Sequence, residues 1–222
     1  MTKPLCIVIG VGPGNGASFA RRFSSDAHHV AILARNANYL NSLAKTIPQC
    51  HAFPCDVQKP KALRKTLAEV AARFGPASVM IYNAGEGEWR PPEETTLEGF
   101  ESSWRTNALG LLVSAQAMFQ DMSTQGRGNI VVIGATASIR GGATSTAFAS
   151  AKAAQRSLAQ SLARRFSPKG IHVSHIIIDG IIDLPRTREK RPDAPDDFYL
   201  QPDDIAETVA TITQQPRSAW TF

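Results

Sequence analysis

Apolar residues along this chain follow two alternating patterns. Short, nearly continuous runs rich in Ile, Val and Leu occupy residues 5–10, 30–34, 50–54, 79–82, 129–133 and 171–178. Between them, over 14–25, 37–47, 60–74, 97–122 and 146–166, apolar positions recur at helical spacing. A continuous run bounded by turn residues predicts a strand buried on both faces, and the helical spacing predicts an amphipathic helix. The punctuation agrees: Pro48, Gly75-Pro76, Gly126, and Pro168 with Gly170 each stop a helix. The stretch 97–122 is expected to break near its start, and Pro202-Asp203-Asp204 opens a last helix over 205–212. Repeated strand–helix units require right-handed crossovers and a parallel sheet. The expected fold class is therefore α/β, a doubly wound parallel sheet with helices on both faces, with residues 1–222 as a single domain. Residues 184–202 depart from the pattern. They are polar, carry Pro185, Pro192, Pro195 and Pro202, and read as a mobile loop placed to meet a substrate. Trp220-Thr221-Phe222 leave little sequence for a further edge strand.

Composition narrows the class of protein. With 43% hydrophobic and 19% charged residues the chain is globular rather than disordered. No apolar run approaches a membrane span, and Met1 to Gly10 lacks the long apolar stretch and cleavage site of a secretory leader. A cytoplasmic protein with no membrane partner is expected. Cys6, Cys50 and Cys55 form no C-x-x-C pair and no zinc spacing with the five histidines. They are expected as free buried thiols, with no metal, and the histidines as unclustered structural residues. The net charge of +5 is scattered. Its one dense run, Arg186 to Arg191, reads as a solvated loop, so no nucleic-acid partner is expected.

A doubly wound sheet binds ligands beyond the carboxyl ends of its strands. There, after the first strand, stands Gly10-Val11-Gly12-Pro13-Gly14-Asn15-Gly16-Ala17. A chain that turns sharply, exposes its N–H groups and enters a helix can cradle a pyrophosphate, provided side chains do not block the approach. Gly10, Gly12, Gly14, Asn15 and Gly16 are therefore candidate dinucleotide contacts. The second strand ends at Ala34-Arg35, where an acidic residue would hold the ribose 2′-OH of the unphosphorylated cofactor. A guanidinium suits a 2′-phosphate instead, so NADP(H) is expected over NAD(H), with Arg35 as the clamp.

With these residues in place, the chain resembles the short-chain dehydrogenase/reductase family over residues 5 to about 183. The resemblance implies a Rossmann-type domain and an oxidoreductase. It is carried by the glycine turn, by Asp56-Val57, whose Asp would contact the adenine, and by Asn83-Ala84-Gly85 after the fourth strand. Asn107 matches the helical Asn of the family's proton relay, and Lys152 the Lys of Y-x-x-x-K that holds the nicotinamide ribose. Gly180 and Ile182 fall in the segment that positions the nicotinamide. Helices over 108–119 and 148–162 match those that build the family's dimer face, which implies a homodimer or homotetramer.

The departures sit at the chemistry. The family's general acid/base Tyr, four residues before the Lys, is Phe148, and its partner Ser is Ala135. Tyr82 replaces an Asn, Asp179-Gly180 replaces a P-G, and Leu184 stands where a Thr would meet the carboxamide. The chain is expected to form an atypical subgroup lacking the active-site Tyr. A phenyl ring moves no proton, and positioned acid/base catalysis is worth about 10²- to 10⁴-fold. Thr136 and Ser138 are the nearest hydroxyls in sequence that could replace it, and Tyr199 could reach the site from the loop. The expected function is an NADP(H)-dependent oxidoreductase acting on a carbonyl or alcohol of unspecified identity. The alternative is a catalytically impaired NADP(H)-binding sensor or structural partner.

Overall fold

The computed structural model describes residues 3–222. Six strands form one parallel sheet: β1 (Leu5–Ile9), β2 (His29–Ala34), β3 (Cys50–Pro54), β4 (Ala77–Tyr82), β5 (Gly128–Ala135) and β6 (Ile171–Ile178). Their order across the sheet is β3-β2-β1-β4-β5-β6, so the winding reverses between β1 and β4. The helices are α1 (Asn15–Ser25), α2 (Ala37–Thr46), α3 (Pro60–Phe74), α4 (Leu97–Trp104), α5 (Gly110–Gln125) and α6 (Thr146–Phe166). Two cores confirm the doubly wound reading. On one face Ile7, Ile9, Met80 and Val132 pack under Leu67 of α3, Leu111 and Met118 of α5 and Leu162 of α6. On the other, Cys6, Val8, Ile32 and Ile81 pack under Phe19 and Phe23 of α1 and Leu40 of α2. Strands sandwiched in this way need apolar residues at every position, which is why their sequences do not alternate. Among the described residues no helix is long and apolar enough to cross a membrane.

The expected break in the 97–122 stretch is real and has a specific form. Residues Arg105–Leu109 form a turn of π-helix between α4 and α5. The buried Tyr82 hydroxyl donates to the Thr106 carbonyl within that turn. Extra-wide turns of this kind are uncommon and concentrate at functional sites; this one carries Asn107.

Two expectations need correction. Residues 184–202 are only partly irregular. They contain a short helix α7 (Pro185–Glu189) and a strand β8 (Tyr199–Leu200), which pairs in parallel with β7 (Ile181–Ile182). The Arg188 guanidinium fastens the segment by donating to Asp183 at 2.6 and 2.8 Å and to Asp196 at 2.7 Å. A last helix, α8 (Pro202–Thr213), follows and packs Ala206, Val209 and Ala210 into the α1-side core. The histidines, in turn, are not scattered singly. The His29 and His51 rings lie 5.6 Å apart against Phe74, at the amino ends of β2 and β3, opposite the glycine turn. On edge strand β6, Trp220 stacks on His172 and Phe222 on His175, so the C-terminal aromatics cover part of that edge. The three cysteines are free and buried, as expected.

Candidate functional site

The carboxyl ends of the strands open into a groove of about 1270 Å³. Its walls include Gly10, Gly12, Gly14, Asn15 and Gly16 from the turn into α1, and Arg35 from the end of β2. They also include Asp56 and Val57 after β3, Asn83, Ala84 and Gly85 after β4, Lys152 of α6, and Gly180 and Ile182 after β6. The structure thus brings every expected cofactor contact into one continuous cleft at the switch point.

The glycine turn is shaped for close approach. Gly10 has φ +90°, and a Cβ there would fall inside the backbone of Ala84. Gly12 is the opposite case: nothing lies within 4 Å of the position its Cβ would take. The turn thus leaves open space ahead of the start of α1. Asn83 locks the turn to β4, its Nδ2 donating to the Gly10 carbonyl at 2.6 Å. Asp56 caps its own turn, Oδ1 accepting from the Gln58 N–H at 3.0 Å. The buried Asn15 Oδ1 has no partner among the described residues. Leu184 lies against Gly14, so the start of α7 roofs the turn. Arg35 is ion-paired to Glu86 at 3.1 Å.

The other end of the groove is organised around Lys152. Its Nζ is buried and donates to the Ile133 carbonyl at 2.9 Å and to Gln155 Oε1 at 3.0 Å. An ammonium has three N–H bonds, so one remains for the groove, where Gly85 stands beside it. Loss of hydration lowers the Lys152 pKa from the ordinary lysine range to about 7. Gln155 is fully buried, and its Nε2 donates to the Asn107 carbonyl at 3.1 Å. Asn107 does not itself wall the groove. Its Nδ2 donates to the carbonyls of Glu86 and Ser103, and its Oδ1 is buried without a partner among the described residues. That oxygen points toward Gly85, as Lys152 Nζ does.

Around this amine the hydroxyl chemistry is missing. Phe148 packs on Trp89 with ring centroids 4.8 Å apart, and Lys152 Nζ lies 5.9 Å from its ring centre. Ala135 lines the groove beside it. Thr136 reaches the groove, but its hydroxyl donates to Asp179. Ser138 does not reach it; its buried hydroxyl donates back to the Ala135 carbonyl at 2.6 Å. Tyr199 is also absent from the site. It is buried in the α7–β8 segment and donates to the Arg191 carbonyl. Sequence reasoning missed Gln155, Glu86 and the role of Tyr82. For Gln155 the available signal was a glutamine three residues after Lys152 on a helix face of small residues.

Comparison with known proteins agrees with this geometry. The short chain dehydrogenase family pattern matches residues 5–195. An uncharacterized oxidoreductase of Staphylococcus aureus is 26% identical over 219 residues, covering 98% of this chain and 94% of the relative. The crystal structure of a short-chain dehydrogenase from Rhodopseudomonas palustris superposes with a TM-score of 0.85 at 34% identity, covering 99% of this chain and 95% of that one. An alcohol dehydrogenase from Thermococcus sibiricus gives a TM-score of 0.86 at 24% identity over 98% of this chain and 93% of its own. The family pattern spans most of the chain and the fold superposes along nearly its whole length, and the chain belongs to the short-chain dehydrogenase family.

Proposed function

We propose that this chain is an NADP(H)-dependent oxidoreductase for a small carbonyl or alcohol. It falls in an atypical subgroup in which Lys152, in place of a phenol, is the proton-exchanging group beside the substrate. The observation that carries the proposal is the single groove joining the glycine turn and Arg35 to the Lys152 amine. Related folds have been crystallised with 5-hydroxy-NADP, with NADPH and with NAD+, at 24%, 23% and 21% identity. The fold therefore accepts either cofactor, and Arg35 supports the phosphorylated one.

The residues present fit the dinucleotide. Gly12 leaves room for the pyrophosphate over the mouth of α1, and Asp56 and Val57 face the adenine end. Lys152 keeps one N–H for the groove, and Gly180 and Ile182 close the nicotinamide end. The bound nicotinamide supplies hydride donor or acceptor chemistry. The chain must orient the substrate and exchange one proton. Phe148 and Ala135 cannot do this, and the hydroxyls of Thr136 and Ser138 are spent on Asp179 and Ala135. Lys152 can, because burial holds its pKa at about 7, so the amine both carries and releases a proton near neutrality. Its contacts with Ile133 and Gln155 fix where that proton is offered. The same reading includes a homodimer or homotetramer, for which Leu97, Phe100 and Trp104 form an exposed apolar stripe along α4.

Fluorescence titration with NADPH and NADH, followed by a survey of carbonyl substrates, tests the proposal. Tighter binding of NADPH is expected, together with turnover whose pH profile bends near 7. Absence of NADPH binding overturns it. Binding without turnover in the wild type, with turnover gained in Phe148→Tyr, overturns its catalytic half.

A further inference from the structure

We infer that Glu86 is a cofactor-selecting residue: a carboxylate, itself tied to Ser102, that holds Arg35 across the groove and must surrender it to a 2′-phosphate. The inference rests on the NADP(H) reading above and concerns how that phosphate is admitted. Arg35 ends β2 and Glu86 follows β4, and these strands flank β1 on either side. Their ion pair, 3.1 Å long, therefore spans the carboxyl end of β1, where the glycine turn begins. Both residues line the groove. The pair is a bar across the adenosine end of the cleft.

The two partners are not held equally. Glu86 is moored at two points besides Arg35. Its main-chain carbonyl accepts from Asn107 Nδ2 at 2.7 Å. Its Oε1 accepts from Ser102 Oγ at 3.2 Å, and that oxygen accepts in turn from Gln58 Nε2 at 2.9 Å. The Gln58 N–H donates to Asp56, so the chain of contacts runs round the adenine end of the groove. Arg35 has no such mooring: its side chain is 66% exposed and Glu86 is its one ion-pair partner among the described residues. The guanidinium is held by Glu86 alone among the described residues, whereas the carboxylate, 38% exposed, is also held by Ser102. A dianionic phosphate offers a guanidinium more charge and more acceptor oxygens than a carboxylate does. The exchange is favourable, but it leaves Glu86 charged and unpaired beside the new anion. NADH, with a ribose hydroxyl there, requires no exchange.

Glu86→Gln tests this cleanly, because glutamine keeps an Oε1 to accept from Ser102 and loses only the charge. An exposed ion pair and its screened repulsion are worth about three- to tenfold in affinity. The Kd for NADPH is expected to fall by about that factor, while the Kd for NADH changes less than about twofold. On an Arg35→Ala background the same substitution is expected to bring no gain for NADPH. Equal weakening of NADPH and NADH by Glu86→Gln overturns the inference, since Glu86 would then be holding the adenosine itself. Unchanged affinity for both also overturns it. The two readings fail separately. If Arg35→Ala weakens NADPH and Glu86→Gln gives no gain, only the exchange is wrong. If Arg35→Ala leaves the NADPH Kd untouched, the 2′-phosphate reading falls, and the exchange with it.

Discussion

The two ends of the groove are built on different principles. At the adenosine end the functional surface is mostly backbone, and its side chains serve as fasteners: Asn83 ties Gly10 to β4, and Asp56 ties its own turn. What this end offers is empty space over Gly12. At the reacting end the surface is side-chain chemistry, and most of it is spent internally. Thr136 is committed to Asp179, Ser138 to Ala135, and Gln155 to both Lys152 and Asn107. A backbone cradle changes only if the fold changes. A side-chain constellation can be altered residue by residue while the sheet beneath it stays the same. Phe148 and Ala135 belong to that second kind of surface.

The largest test of this contrast is at Lys152. If it is the only group left to exchange a proton, Lys152→Met should lower kcat by about 10²- to 10⁴-fold. The bend near pH 7 in the rate profile should vanish with it. Cofactor affinity should fall much less, because the glycine turn is untouched. Stopped-flow rates across pH 5–9, read beside NADPH titrations, separate the two. Equal activity in the variant would place the proton elsewhere.

The adenosine end gives the complementary test. Gly12→Ala adds a Cβ with no protein atom within 4 Å beyond its chain neighbours, so its melting temperature should match the wild type, yet that methyl stands in the phosphate space. NADPH affinity should drop by at least about 10²-fold. Gly10→Ala reverses the pattern. Its Cβ collides with Ala84 at a positive φ, which should cost about 2–4 kcal/mol of stability in urea unfolding. Those two outcomes together would assign Gly12 to the ligand and Gly10 to the fold.

These differences also explain what could be read from the sequence. The strands were legible because burial on both faces leaves one solution for runs such as Leu5-Cys6-Ile7-Val8-Ile9. The glycine turn was legible because glycines in register after a strand have few other uses. Gln155 and Glu86 were not, since an amide or carboxylate takes its meaning from partners 48 and 51 residues away, Asn107 and Arg35. Segment 184–202 misled for a related reason. Its prolines and charges read as solvated loop, but Arg188 is committed to Asp183 and Asp196, and Tyr199 is buried. The histidine stacks likewise depend on Trp220 and Phe222 returning to β6.

Acid should unsettle the reacting end first. His175 lies on β6 beneath Gly134, with its Nε2 buried and unpartnered among the described residues. Burial, with help from Lys152 and Arg156, lowers its pKa to about 4. Between that value and the unfolded value of about 6.5, the unfolded chain binds the extra proton, so stability falls as pH falls. The loss from this one group should reach about 2 kcal/mol by pH 5. His175→Gln should flatten that slope in urea unfolding at pH 7, 6 and 5. An unchanged slope would assign the sensitivity to His28, His51 or His172, whose pKa values burial also lowers.

The smallest effect is expected at Ser138, and its smallness is the point. The Ser138 hydroxyl faces away from the groove and closes its own turn on the Ala135 carbonyl. Ser138→Ala should therefore cost about 1 kcal/mol of stability, the worth of one buried hydrogen bond. Turnover per folded molecule should not change. Thr136→Val is the contrasting variant, because that hydroxyl does line the groove and its loss strips Asp179 of a donor. If Ser138→Ala lowered kcat as Lys152→Met does, the serine would have to rotate out of its turn to reach the substrate. The reacting end would then be assembled by motion, and its hydroxyls would no longer count as spent.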